Sequence, residues 1–121
     1  MGLFKKKEVA NINYLELIPF QIKEFEEKEG IINILIPKFK NQFMLSLIPQ
    51  HKSKVFRIKL DELGSAVWSS IDGKKKVTAI IEELSERFGE KIQPAEQRIT
   101  KFLTQLFQSN FINFKQLKKE N

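Results

Sequence analysis

The chain has 121 residues, 41% hydrophobic and 30% charged, with a formal net charge of +6 and no cysteine. That length fits one domain, and the apolar fraction supports a core and argues against disorder; the missing cysteines exclude disulfides and thiolate chemistry and fit a reducing compartment. The charge falls mainly in residues 1–60, where eleven Lys/Arg face six Glu, which favours an acidic partner such as nucleic acid, an acidic peptide or a protein surface.

The opening Met1-Gly2-Leu3-Phe4-Lys5-Lys6-Lys7 has no apolar segment after its charges and so does not read as a secretory signal. Lys6 stands where a myristoylation site wants Ser or Thr. No run approaches the roughly 18 apolar residues of a membrane span. The expectation is a soluble cytoplasmic protein with no membrane association. It comprises a single domain over residues 14–114, flanked by a flexible tail at 1–13 and another at 115–121.

Strand-like segments fill the first half. Tyr14-Leu15-Glu16-Leu17-Ile18 alternates partly and stops at Pro19; Phe20, Ile22 and Phe25 lead into a charged turn ending at Gly30. Ile31-Ile32-Asn33-Ile34-Leu35-Ile36, β-branched and bounded by Gly30 and Pro37, reads as the best-buried strand and completes a hairpin. In residues 38–53, Phe39, Phe43 and Leu47 recur every four positions with Met44 and Ile48 beside them. That segment reads either as a short helix over one sheet end or as an irregular apolar loop, stopped by Pro49. Val55-Phe56-Arg57-Ile58-Lys59-Leu60 alternates cleanly, with Phe56, Ile58 and Leu60 on one face and Arg57 and Lys59 on the other. That is the pattern of a half-exposed strand.

Helical periodicity takes over after Asp61, a good N-cap. Leu60, Leu63, Val67 and Ile71 form the first stripe, with Gly64 and Trp68 beside it, and Asp72-Gly73 ends it. Val77, Ile80, Ile81, Leu84 and Phe88 mark a second helix closed by Gly89. A third begins near Pro94, with Ile99, Phe102, Leu103, Leu106 and Phe107 as its stripe. Phe111-Ile112-Asn113-Phe114 suits a short last strand. The fold class is α+β: an N-terminal three-stranded antiparallel sheet followed by three helices.

Catalytic chemistry has little to stand on here. The single His51 lies in a polar loop and cannot build a metal cage alone. Glu24, Glu26, Glu27 and Glu29 are better explained as a solubilising hairpin tip than as an acid/base pair. No phosphate-binding glycine loop or nucleophile motif is present. No catalytic residue, metal ligand or cofactor is expected, and the chain reads as a non-enzyme.

Leu60-Asp61-Glu62-Leu63-Gly64-Ser65-Ala66-Val67-Trp68, then Ile71-Asp72-Gly73, Val77 and Ile80, resembles the PqqD-like proteins, named after coenzyme PQQ biosynthesis protein D. Leu84, the Phe88-Gly89 stop and the leucine-rich third helix ending in Phe111-Ile112 continue the likeness over roughly residues 55–114, and the Pro19 to Pro37 strands echo it. The sequence departs at Lys76, where the family often has a Thr capping the second helix; Thr78 is the substitute on offer.

The resemblance implies a winged-helix-like domain that recognises the leader of a ribosomally made precursor peptide and presents it to a modifying enzyme, often a radical SAM protein. The leader adds to the third sheet strand and packs against the third helix. Carried over by position, the peptide-binding residues are Val55, Phe56, Arg57, Ile58 and Lys59 on the strand and Arg98, Lys101, Phe102 and Gln105 on the helix. The strand pattern agrees independently: an edge strand offers free N–H and C=O groups to a guest, and Arg57 and Lys59 would meet acidic guest side chains. Lysines on such an edge also protect against aggregation, and Phe102 also suits the core. Two other readings remain open. A winged-helix DNA binder would use Arg98 and Lys101 with Glu96, Gln97, Gln105 and Gln108, a modest recognition surface that makes nucleic acid an unfavoured partner. A scaffold or homodimer would use the apolar 39–48 segment.

Overall fold

The computed structural model describes residues 13–117. Most of the two expected tails lies outside that range, as do Lys5–Lys7 and Lys118–Lys119. No described helix is long and apolar enough to cross a membrane. The fold is α+β and divides into two compact units, residues 23–68 and a unit made of the segments before and after it, with the division inside one helix.

Unit 23–68 holds a three-stranded antiparallel sheet in the order β2–β3–β4, made of Phe25–Lys28, Ile31–Pro37 and Val55–Lys59. Glu29 and Gly30 both adopt positive φ (52° and 83°) to turn β2 into β3, a conformation glycine reaches without strain. Phe25 pairs with Ile34, and Ile34 with Ile58. Ile32 and Ile34 are fully buried in the central strand, as the apolar run predicts. Helix α1, Gln42–Ser46, lies in the long connection between β3 and β4 and is capped by Asn41 Oδ1, which accepts from Phe43 N–H at 2.7 Å. The helical alternative for residues 38–53 is therefore realised, over a shorter span.

Leaving β4, the chain enters α2, Glu62–Ser70, where Asp61 Oδ1 accepts from Gly64 N–H at 2.7 Å. Ser65, one turn in and buried, places its hydroxyl where the sheet ladder would run. Its Oγ accepts from Ile32 N–H at 2.9 Å and donates to Leu60 C=O at 3.4 Å. Trp68 is fully buried and meets Phe25 edge-on at 5.8 Å. Leu60, Ala66 and Val67 complete the buried set around Ile32 and Ile34.

The described part of the other unit starts with a single 3₁₀ turn, Tyr14–Glu16, where a strand was expected. Pro19–Gln21 (β1) pairs with Ile112–Phe114 (β5) in a separate two-stranded sheet. The segment before Pro19 thus makes no hairpin with Ile31–Ile36; β2, read as a charged turn, takes that place. Helices α3 (Val77–Phe88) and α4 (Ala95–Gln108) supply most of the core, with Val77, Ile80, Leu84, Ile99, Leu103 and Leu106 buried. Lys76 occupies the α3 N-cap position without a side-chain bond, and Thr78 lies inside the helix rather than capping it. The preceding turn is fixed by Asp72 instead, whose Oδ1 accepts from Lys74 N–H at 2.8 Å and Lys75 N–H at 2.9 Å. Gly89 closes α3 at φ 57°, and Asn110, at φ 64°, follows α4. Phe114 packs between Tyr14 (5.6 Å) and Phe107 (5.3 Å).

Candidate functional site: the open edge of β4

Among the described residues β4 is paired with β3 alone and forms an edge of its sheet. In an antiparallel ladder, alternate residues turn both backbone groups toward the partner and those between turn them away. Leu60 N–H donates to Ile32 C=O at 2.9 Å, and Lys38 N–H to Lys54 C=O at 3.0 Å. With the register fixed by Ile34 opposite Ile58, Phe56 and Ile58 face inward and Val55, Arg57 and Lys59 face outward. The outward groups of Val55 are already engaged: Ser53 Oγ accepts from Val55 N–H at 3.2 Å and donates to its C=O at 2.8 Å.

Alternation along β4 places the side chains as the sequence suggests, but burial does not follow. Phe56 is 58% exposed and Ile58 38%, and only Leu60 at the end is buried. The half-exposed strand is in fact open on both faces from Phe56 to Lys59. Its apolar face continues a row that is buried at Ile34, so at this edge the core comes to the surface. Lys38 lies 5.4 Å from the centre of the Phe56 ring.

On the opposite face Arg57 is already paired. Its Nε and Nη2 donate to Glu26 Oε1 (3.1 Å) and Oε2 (3.3 Å), and Nη1 donates to Ser53 Oγ at 3.2 Å. The guanidinium holds the Glu26 carboxyl below its ordinary pKa, chiefly through that hydrogen bond, and is itself raised by it. Both groups are water-exposed, so the pair orders the edge more than it stabilises the fold. Glu26, read from sequence as part of a charged tip, is a strand residue that neutralises one of the two cations. Lys59 makes no ion pair among the described residues.

The helical residues singled out by sequence lie on α4. Arg98, Lys101 and Gln105 are exposed and Phe102 is half-buried. Lys101 and Gln105 join Gln97, Thr100, Thr104 and Gln108 in lining an open cleft of about 480 Å³. Arg98 and Phe102 are not in that lining; Arg98 Nη1 donates to Lys91 C=O at 2.8 Å. Beside the cleft the Tyr14 hydroxyl shares a hydrogen bond with Thr104 Oγ1 at 3.1 Å, and Thr104 donates to Thr100 C=O at 2.8 Å. Burial pushes the Tyr14 hydroxyl up, partly offset by that bond. The contacts of Ser53, Glu26 and Tyr14 are not legible in the sequence, because their partners are set by tertiary structure.

No group of His, Cys, Asp or Glu among the described residues is arranged to hold a metal. These features define an α+β scaffold in which β4 is one of the two edge strands of its three-stranded sheet. The family model of coenzyme PQQ synthesis protein D (PqqD) matches residues 47–112, β4 and α2 through α4 included, and the chain belongs to that family. No curated protein and no solved structure matched it.

Proposed function

We propose that this chain is a non-catalytic adaptor that binds the leader of a ribosomally made precursor peptide and presents it to a modifying enzyme. The observation that carries the reading is the unpaired side of β4, where Arg57 and Lys59 turn their N–H and C=O groups outward. Main-chain hydrogen bonds supply affinity in such strand addition, and alternating side chains supply selectivity. Membership of the PqqD family supports a partner within PQQ-type peptide maturation, with a radical SAM enzyme as the recipient. We read the domain as a single winged-helix-like module working in the cytoplasm. Val55, Phe56, Arg57, Ile58 and Lys59 form the primary surface; Arg98, Lys101, Phe102 and Gln105 on α4 form the second.

The test is a titration of the isotope-labelled chain with the synthetic leader of the precursor peptide encoded nearest to its gene. Amide shifts centred on residues 55–59, with a second group on 97–108, are expected. Binding that leaves both segments unmoved, or no binding at millimolar peptide, would overturn the reading. Association with random duplex at low salt that falls steeply as salt rises would instead point to phosphate contacts and a DNA-binding role.

A further inference from the structure

The edge of β4 is short, and its two faces differ. Because Ser53 Oγ occupies both outward groups of Val55, the ladder open to a guest consists of Arg57 and Lys59. Guest residues opposite these two would exchange backbone bonds with them. Guest residues opposite Phe56 and Ile58 fall at the non-hydrogen-bonded positions, where Cα atoms approach to about 4.5 Å and side chains pack most closely. Phe56 and Ile58 are the exposed apolar side chains of this edge. The apolar contacts available to a guest therefore coincide with the closest side-chain positions.

Charge adds a direction. Arg57 is compensated by Glu26, whereas Lys59 has no such partner among the described residues. Residues 38–59 carry six Lys/Arg and no Asp or Glu, and neither Asp61 nor Glu62, which follow β4, forms an ion pair with Lys59. An antiparallel guest runs opposite to β4 and meets Lys59 first, then Ile58, Arg57 and Phe56.

Resting on the adaptor reading above, we propose that β4 selects an extended segment with the order acidic, apolar, any residue, apolar, from N- to C-terminus. The acidic side chain meets Lys59, and the two apolar ones cover Ile58 and Phe56. The position opposite Arg57 is unselective, and Ser53 ends the ladder at Val55.

Four synthetic peptides with Gly-Ser flanks test this against the full chain by amide-shift titration. They carry Asp-Val-Thr-Val, the frame-shifted Asp-Thr-Val-Thr, the reversed Val-Thr-Val-Asp, and Lys-Val-Thr-Val. The first should bind about tenfold tighter than the frame-shifted one, since two cross-strand apolar pairs are at stake, and tighter than the reversed one. It should bind about threefold tighter than the Lys peptide at low salt, the scale of one exposed ion pair. Lys59→Glu should invert that last preference. A peptide extended at its C-terminal end to reach Val55 should gain affinity in Ser53→Ala over the unaltered chain. Equal affinities with shifts still centred on 55–59 would overturn the selection rule while leaving the adaptor reading standing. No shifts at 55–59 from these peptides or from the leader would overturn both. Equal binding of the extended peptide with and without Ser53 would refute the role given to Ser53.

Discussion

Two serine hydroxyls define the ends of β4, one on each side of the strand. At the C-terminal end Ser65 bridges Ile32 N–H and Leu60 C=O, so the ladder closes although the chain is already turning into α2. An alanine there leaves a buried N–H unsatisfied, because Ile32 is fully enclosed. Ser65→Ala should therefore cost about 1–3 kcal/mol in a denaturant melt. Asp72 does comparable work in the turn before α3. Its carboxyl is held below the ordinary range first by the Lys75 N–H and next by that of Lys74. A depressed pKa means the unfolded chain takes up protons first as pH falls. The contribution is thus complete above the ordinary carboxylate range and disappears as pH drops through the folded value. Asp72→Ala should be less stable than the parent at neutral pH, and the gap should narrow in acid; a gap independent of pH would contradict this account.

At the level of elements, β4 separates residues that serve the fold from those that serve a guest. Ile58 turns its N–H toward β3 and Arg57 turns its own away, and proline removes that N–H in either case. Ile58→Pro should lose about 1–3 kcal/mol more than Arg57→Pro, the scale of one unsatisfied buried group, as compared by thermal unfolding. Arg57→Pro should instead weaken guest binding.

The strands and helices that sequence reveals best are those whose pattern is settled by burial. β3 is a β-branched run between Gly30 and Pro37, and α2, α3 and α4 each carry a buried stripe. β2 was hidden because all four of its residues are exposed and three are charged, which is how a turn reads. β1 and β5 are three residues each and find one another across most of the chain; no local pattern announces such a pairing. The candidate site was half legible. Alternation gave the faces of β4, but the exposure of Phe56 and Ile58 depends on where cover from other elements ends, and the Glu26–Arg57 pair depends on strand order.

On the scale of the whole molecule, the net charge is local. Residues 38–59 hold six Lys/Arg with no acid, and the remaining residues balance, fifteen of each sign. The same stretch carries Phe43 (67% exposed) on α1 and Leu47 (61%) directly after it, together with Phe56 and Ile58. Apolar exposure of this kind invites a partner, but pairing β4 with β4 of a second copy would set Arg57 and Lys59 against their own kind, which is destabilising. An acidic partner meets no such opposition. In the unit that contains both described ends, Phe114 joins β5 to Tyr14 and to Phe107 on α4. Phe114→Ala should cost about 3–5 kcal/mol in chemical denaturation, the scale of deleting a buried aromatic ring.

The enclosed indole of Trp68 has a practical consequence. It is the sole tryptophan of the chain and is fully shielded from water, with the edge of Phe25 against it. Tryptophan fluorescence, excited at wavelengths that the lone Tyr14 does not absorb, therefore originates from one apolar place in the 23–68 unit, and its emission moves to longer wavelength when that place opens. Spectral changes followed during unfolding can be assigned to a single part of the molecule without attaching a dye.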